Sequence, residues 1–268
     1  MSCVILFQMM LIKLGGSVIT DKTKYKTLRT DVLERLAKEI KSSGKDVILV
    51  HGAGSYGHII AAENELQKGF LRDSQIPAAS QVMEDVRTLD AEVIKCFNSA
   101  GMPCVSLPPS AIAKLQSGKL NELDCRVFQD YLDIGIMPVT FGDVCLDTER
   151  KFGICSGDQL MTRIAEHFKP EITIFCTDVD GVYTSDPYSD KDAQLIEIIN
   201  QNVLDELPRT QHCADVTGSI FKKIEHMMNI AEYSRAIVIN GLVPGRLKAA
   251  LCDEEVIGSR VEGCNERN

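Results

Sequence analysis

The sequence predicts an α/β fold: an open, mainly parallel sheet flanked by helices in a three-layer sandwich. Short apolar runs rich in β-branched residues alternate with segments of helical periodicity, which is the grammar of βαβ units. Several runs break into small residues at their carboxyl ends, as in Leu11-Ile12-Lys13-Leu14-Gly15-Gly16-Ser17 and His51-Gly52-Ala53-Gly54-Ser55-Tyr56-Gly57-His58. The chain has 268 residues, 44% hydrophobic and 25% charged, enough for one large α/β unit or two closely packed lobes.

The elements follow in order. The start, Met1 to Leu14, is apolar but broken by Gln8, lacks a basic leader and falls far short of the roughly 20 residues that span a bilayer, so no anchor is expected. Met1, Met9 and Met10 are all possible start sites. Leu11–Leu14 reads as the first strand, and Val32, Leu33, Leu36, Ala37 and Ile40 as a helix with Thr30 or Asp31 as N-cap and Gly44 past its end. Val47–Val50 is a strand. Val82, Met83, Val86, Leu89, Val93, Ile94 and Phe97 mark a helix stopped by Gly101, and Cys104–Leu107 and Met137–Phe141 are further strands. Polar Asp147 to Lys151, between Val144 and Ile154, suggests a β-hairpin. Ser156-Gly157-Asp158-Gln159 opens a helix with the stripe Leu160, Ile164 and Phe168, and Ile172–Cys176 is the next strand. Ile220, Ile224, Met227, Met228 and Ala231 mark another helix before the strand Ala236–Ile239. A soft boundary gives lobes 1–155 and 156–268, packed as one unit.

A net charge of −9 without a dense Lys/Arg stretch excludes a nucleic-acid surface. Ten cysteines without a C-x-x-C pair fit buried thiols in a reducing cytoplasm rather than a disulfide framework or a zinc site. The histidines show no metal-ligand spacing.

Strand-to-helix turns made of small residues expose backbone N–H groups where no intrahelical acceptor exists, so two such turns suggest a cradle for two phosphates held face to face. Neither turn is a P-loop, since no Gly-Lys-Ser/Thr closes it, nor a dinucleotide fingerprint. Lys13 is a charge inside an apolar run, costly unless it points into the cleft expected above the carboxyl ends of the strands. His51 ends its strand and reads as structural, bonded to nearby backbone. An Asp158 at the start of a helix has an alternative reading as N-cap.

Lys13-Leu14-Gly15-Gly16-Ser17 with Lys22, His51 to His58, Ser156 to Gln159, Thr177-Asp178-Val179-Asp180-Gly181-Val182-Tyr183, and Asp215-Val216-Thr217-Gly218 with Lys223 together resemble the amino-acid kinase superfamily. Within it, His-Gly-Ala-Gly-Ser-x-Gly-His and Ser-Gly-Asp-Gln are similar to the isopentenyl phosphate kinases. The resemblance implies ATP-dependent phosphorylation of isopentenyl phosphate to isopentenyl diphosphate in isoprenoid biosynthesis. It assigns catalysis to Lys13, Lys22, His58 and Asp158, and nucleotide contacts to Lys13, Gly15, Gly16, Ser17, Gly54, Asp178, Gly218 and Lys223. Acceptor contacts fall to Ala53, Gly54, His58 and Gly157. The N-terminal lobe would hold the acceptor and the C-terminal lobe ATP, with Mg²⁺ carried by the nucleotide, no protein metal ligand, and a homodimeric assembly.

The residue chemistry agrees with such a reaction. A phosphoryl-transfer transition state spreads charge over its equatorial oxygens, so placed cations do most of the catalysis. The acceptor, a phosphate monoester with a second pKa of about 6, is already an anionic nucleophile, so His58 is read as a binding group rather than a base. Lys223 rather than Lys222 matches the helix position. A pocket for the hydrocarbon tail is expected along the helix carrying Met83, Val86 and Leu89. Two alternatives compete: a fosfomycin-type phosphonate kinase, whose third motif looks more like Ser-Ser-Asp-Arg, and a catalytically silent ligand sensor, which would have lost charges that this chain keeps.

Overall fold

The computed structural model describes residues 9–206 and 220–263. Along them the strands are β1 (Met9–Leu14), β2 (Asp46–His51), β3 (Cys104–Ser106), β4 (Ala113–Gln116), β5 (Lys119–Leu123), β6 (Met137–Phe141), β7 (Asp143–Asp147), β8 (Lys151–Cys155), β9 (Ile172–Thr177), β10 (Val182–Tyr183), β11 (Leu195–Ile196), β12 (Ile198–Ile199), β13 (Arg235–Asn240) and β14 (Gly258–Val261). The helices are α1 (Gly16–Ile19), α2 (Thr30–Ser43), α3 (His58–Glu63), α4 (Gln75–Ser99), α5 (Pro109–Ile112), α6 (Arg126–Asp133), α7 (Gly157–Phe168), α8 (Gln201–Glu206), α9 (Ile220–Ala231) and α10 (Arg246–Leu251).

Eight strands form the central sheet in the order β12-β14-β13-β9-β1-β2-β6-β3. Every neighbouring pair is parallel except β13 with β14. The middle strands are apolar almost throughout because both faces of the sheet are covered, as parallel sheets require. Side chains alternate between the two cores with the period of a strand. Met10, Ile12 and Leu14 of β1 pack with Leu33, Leu36 and Ile40 of α2 and with Leu89, Val93 and Phe97 of α4. Met9 and Leu11 face the other way, toward Leu160 and Ile164 of α7 and Ile224 and Met228 of α9. The expected mainly parallel three-layer α/β fold is the observed one, and each expected strand and helix lies within an observed element except that β3 ends at Ser106, one residue short of the expected Leu107.

Local details differ. Neither Thr30 nor Asp31 caps α2: the cap position is Arg29, with no side-chain cap bond. A bridge between Thr20 and Leu28, and the Arg29 N–H donated to the Ile19 carbonyl at 2.8 Å, fix the chain one residue earlier. The other end follows the sequence, since Gly44 takes φ +66 and stops the helix in the left-handed region.

A second sheet, β5-β4-β7-β8, stands beside the first. Its β7–β8 pair is the expected antiparallel hairpin, registered Asp143 opposite Cys155. Among the described cysteines Cys96, Cys104, Cys125, Cys145, Cys155, Cys176 and Cys252 are free thiols, and burial pushes Cys176 up to about 12. Among the described residues no helix is long and apolar enough to cross a membrane.

Candidate active site

A cavity of about 280 Å³ opens where β1, β2, β6, β8 and β9 end, the position expected of a ligand site in an open parallel sheet. Strand alternation decides where Lys13 goes. It shares a face of β1 with Met9 and Leu11, so its ammonium emerges on the α7 and α9 side, 2.5 Å from Asp158 Oδ1. The two side chains are 17% and 12% exposed, sheltered but open to the cavity. Lys223 of α9 lines the same space while Lys222 is exposed and lies outside the lining.

Asp158 is the second residue of α7, and the cap is Ser156, whose Oγ accepts the Gln159 N–H at 3.3 Å. The N-cap alternative is therefore excluded, and the carboxylate is available to Lys13. Burial by itself would raise the pKa of Asp158; the Lys13 ammonium, with help from Lys223, holds it below the ordinary carboxylate value. Gly157, just before it, leaves space for the lysine: a Cβ there would stand 3.3 Å from Lys13 Cε.

The glycine-rich turns pack against each other. A Cβ on Gly16 would lie 2.5 Å from the Gly54 Cα and N, and one on Gly52 would lie 2.6 Å from the Gly16 N. The two turns therefore touch through their backbones, and both contribute residues to the cavity lining. Gly15, Gly16, Ser17 and Ala53 line the cavity, whereas Gly54 sits behind its wall, at φ +49 against Thr20. Only glycine tolerates that conformation and contact together.

Asp178, after β9, accepts from Ser17 Oγ at 2.7 Å and stands 3.9 Å from the Lys22 ammonium. Asp180, two residues on, turns away to Arg246 and Asn240. The Asp-x-Asp pair thus divides into one cavity residue and one structural residue. Among the described residues no group of three or more His, Cys, Asp or Glu side chains gathers as a metal site. Lys22 itself is 59% exposed at the cavity mouth. Asp215, Thr217 and Gly218 lie outside the described residues.

His58 begins α3 and lines the cavity beside an apolar wall of Ala61, Val82 and Ile154. Of the helix along which a tail pocket is expected, it is Val82, and not Met83, Val86 or Leu89, that lines the cavity. Val86 and Leu89 are fully buried in two different clusters, Met83 packs against the first of these, and Val82 faces the space. Sequence reasoning also passed over Asp143. Gly142-Asp143 follows β6 and repeats the strand-then-glycine pattern of the other turns, the signal that would have found it. Arg87 binds its carboxylate at 3.1 Å and Ser110 at 2.6 Å, while burial pushes its pKa up. His51 is structural as expected: fully buried, it bonds the Gly52 carbonyl and Asp90, each at 3.2 Å.

Residues 8–240 match the amino acid kinase family. The isopentenyl phosphate kinase of Methanothermobacter thermautotrophicus is 37% identical over 95% of this chain and 99% of its own. That of Thermoplasma acidophilum is 39% identical over 89% and 94% respectively. Among solved structures, an isopentenyl phosphate kinase superposes with a TM-score of 0.83 at 34% identity, covering 94% of this chain and 99% of that one. A substrate complex of an isopentenyl phosphate kinase gives 0.79 at 35% identity, covering 94% and 100%.

Proposed function

The chain belongs to the amino acid kinase family, and from that premise we propose that it transfers the γ-phosphoryl group of ATP to isopentenyl phosphate, giving isopentenyl diphosphate and ADP. The observation that carries this reading is the convergence of Lys13, Lys22, Lys223 and Asp158 on a cavity whose far wall is His58 beside an apolar patch. Cations gather where phosphoryl charge develops, and the apolar wall suits an acceptor whose tail offers no hydrogen bonds.

Each side chain has a task set by its anchor. Lys13, rigid on β1 and oriented by Asp158, holds phosphate oxygens near the transferring group. Lys22, on a loop at the mouth, meets the equatorial charge that grows in the transition state. Lys223 neutralises the nucleotide phosphates from α9, and His58 binds the acceptor phosphate, which attacks as the anion it already is. Backbone of Gly15, Gly16 and Ser17, with Asp178 and Gly218, serves the nucleotide, and Ala53, Gly54 and Gly157 shape the acceptor side. The C-terminal part, 156–268, is read as the ATP side and 1–155 as the acceptor side. Mg²⁺ arrives on the nucleotide and supplies charge neutralisation of its phosphates; the pairing of Asp178 with Ser17 and Lys22 fits a site in which the protein offers few direct metal ligands. A cytoplasmic homodimer is the expected form, checked by light scattering of the purified protein.

The test is an acceptor panel. With Mg-ATP, isopentenyl and dimethylallyl phosphate should turn over while fosfomycin, carbamate and N-acetylglutamate do not. Preference for fosfomycin or a carboxylate acceptor would overturn the reading, and absence of ADP release with every acceptor would favour the silent sensor.

A further inference from the structure

Lys13 rides on a strand and Lys223 on a helix, but Lys22 sits in the loop between α1 and α2, more than half exposed. A flexible side chain on a free loop cannot be preorganised, so something must fix that loop. Its neck is closed by the Thr20–Leu28 bridge and by the Asp21 N–H donated to the Thr27 carbonyl at 2.8 Å. The tip, however, is held from outside. The Lys26 ammonium stands 2.5 Å from Asp85 Oδ1, and the Tyr25 hydroxyl donates to Asp85 Oδ2. Gln81, one turn earlier on α4, donates to Asp85 Oδ1 at 2.7 Å. The Asp85 side chain is fully buried. A buried carboxylate is costly unless every lone pair is engaged, and here two of its partners come from the Lys22 loop.

The loop backbone carries the same signature. Lys26 takes φ +50, a left-handed conformation rare for a non-glycine residue, and its neighbourhood is tied to the second glycine-rich turn by Thr27 N–H to Ser55 Oγ at 3.3 Å. Asp85 lies one turn along α4 from Val82 in the apolar wall, so a single stretch of helix both lines the acceptor side and holds the tip of the loop that reaches the cavity mouth.

We infer that Asp85 is a positioning residue for the transfer reaction, acting through Tyr25 and Lys26 to hold the loop that presents Lys22. This rests on the proposed role of Lys22. It goes further in locating the origin of that role in a buried acid on another element.

The test is a double-mutant cycle on the full chain. Asp85→Asn, and separately Tyr25→Phe in case the buried change impairs folding, are made alone and with Lys22→Ala, and kcat, KM for ATP and melting temperature are followed with Mg-ATP and isopentenyl phosphate. Misplacing a catalytic group by about 1 Å costs on the order of 10²-fold, so either latch variant should lower kcat about 10- to 100-fold. KM for ATP should change little. In the Lys22→Ala background the same variants should change kcat by less than about twofold, because coupled residues are not additive. Melting temperature, the readout of a purely structural role, should fall equally in both backgrounds. Equal losses of kcat in both backgrounds would overturn the inference while leaving Lys22 in the mechanism. An unchanged kcat for Lys22→Ala alone would instead overturn the reading of Lys22 on which it stands.

Discussion

Replacing Asp158 by Asn separates two roles that share one position. If Asp158 served the helix terminus, Asn would replace it with little loss, since the two are equivalent as caps. The structure gives the cap to Ser156 and the carboxylate to Lys13, 2.5 Å away. Breaking a fully buried ion pair costs about 3–5 kcal/mol, and an exposed one about 0–1 kcal/mol. With side chains 17% and 12% exposed, this pair stands between those limits, nearer the buried one but open to the cavity, which points to about 1–3 kcal/mol. For a protein of this size each kcal/mol moves the melting temperature by about 2–4 °C, so a drop of a few degrees is expected. The loss in rate should be larger, on the order of 10²–10³ in kcat, because Lys13 loses the group that aims it at the developing charge. Steady-state ADP release beside differential scanning fluorimetry measures both. A variant with wild-type kcat, whatever its stability, would refute the assignment of Asp158 to Lys13.

His58→Ala should weaken use of isopentenyl phosphate while binding of a non-hydrolysable ATP analogue, measured by titration calorimetry, stays near the wild-type value; equal loss of both would move His58 to the nucleotide side. Val82→Ala should raise relative use of geranyl phosphate, each additional buried CH₂ being worth up to ~0.8 kcal/mol or about fourfold, whereas Leu89→Ala should lower stability by about 2–5 kcal/mol with chain-length preference unchanged. Burial lowers the pKa of His226 below 6.5, so its contribution to stability is present above pH 6.5 and is lost as falling pH passes its folded value. Melting temperature should therefore fall on acidification from pH 7, and His226→Gln, which can still bond Thr162 (now 3.0 Å from Nδ1), should flatten that fall. The depressed pKa of Asp158 adds a later loss as pH drops below 3.8.

What was legible in the sequence is what rests on local periodicity. A lysine inside an apolar strand must leave the core, and Lys13 does so on the face its register dictates. The glycines of the turns were legible as turns, but not that Gly16 and Gly54 touch, because that contact joins two strands through the sheet. The wide stripe of α4 showed that Val82, Val86 and Leu89 are inside and could not show that they serve a cavity and two separate clusters, since a 3.6-residue period gives direction around the helix and says nothing of what stands opposite. Asp85 was invisible for a related reason. An acid on an amphipathic helix ordinarily faces water, and only the partners brought by a loop 60 residues earlier make it buried.

That helix repeats the device. Gln75 of α4, fully buried, accepts the Leu71 N–H at 2.6 Å and donates to the Asn64 carbonyl at 2.9 Å; Arg87 holds Asp143 beside the start of β7; Asp90 meets His51 at the end of β2. A buried polar group on a helix destabilises it unless a partner arrives, so Gln75 makes the helix depend on the loop before it and Asp90 on the end of β2 being in place. On this side of the sheet α4 therefore fixes the Lys22 loop and the surroundings of His58, while on the other α7 and α9 fix Asp158 and Lys223. Strand β1 is common to both, packing Ile12 and Leu14 toward α4 and sending Lys13 to α7. The lysines thus reach one cavity from a strand, a latched loop and a helix. Their relative placement depends on both layers being docked on the same central strand, so a change that loosens either layer should cost rate before it costs fold.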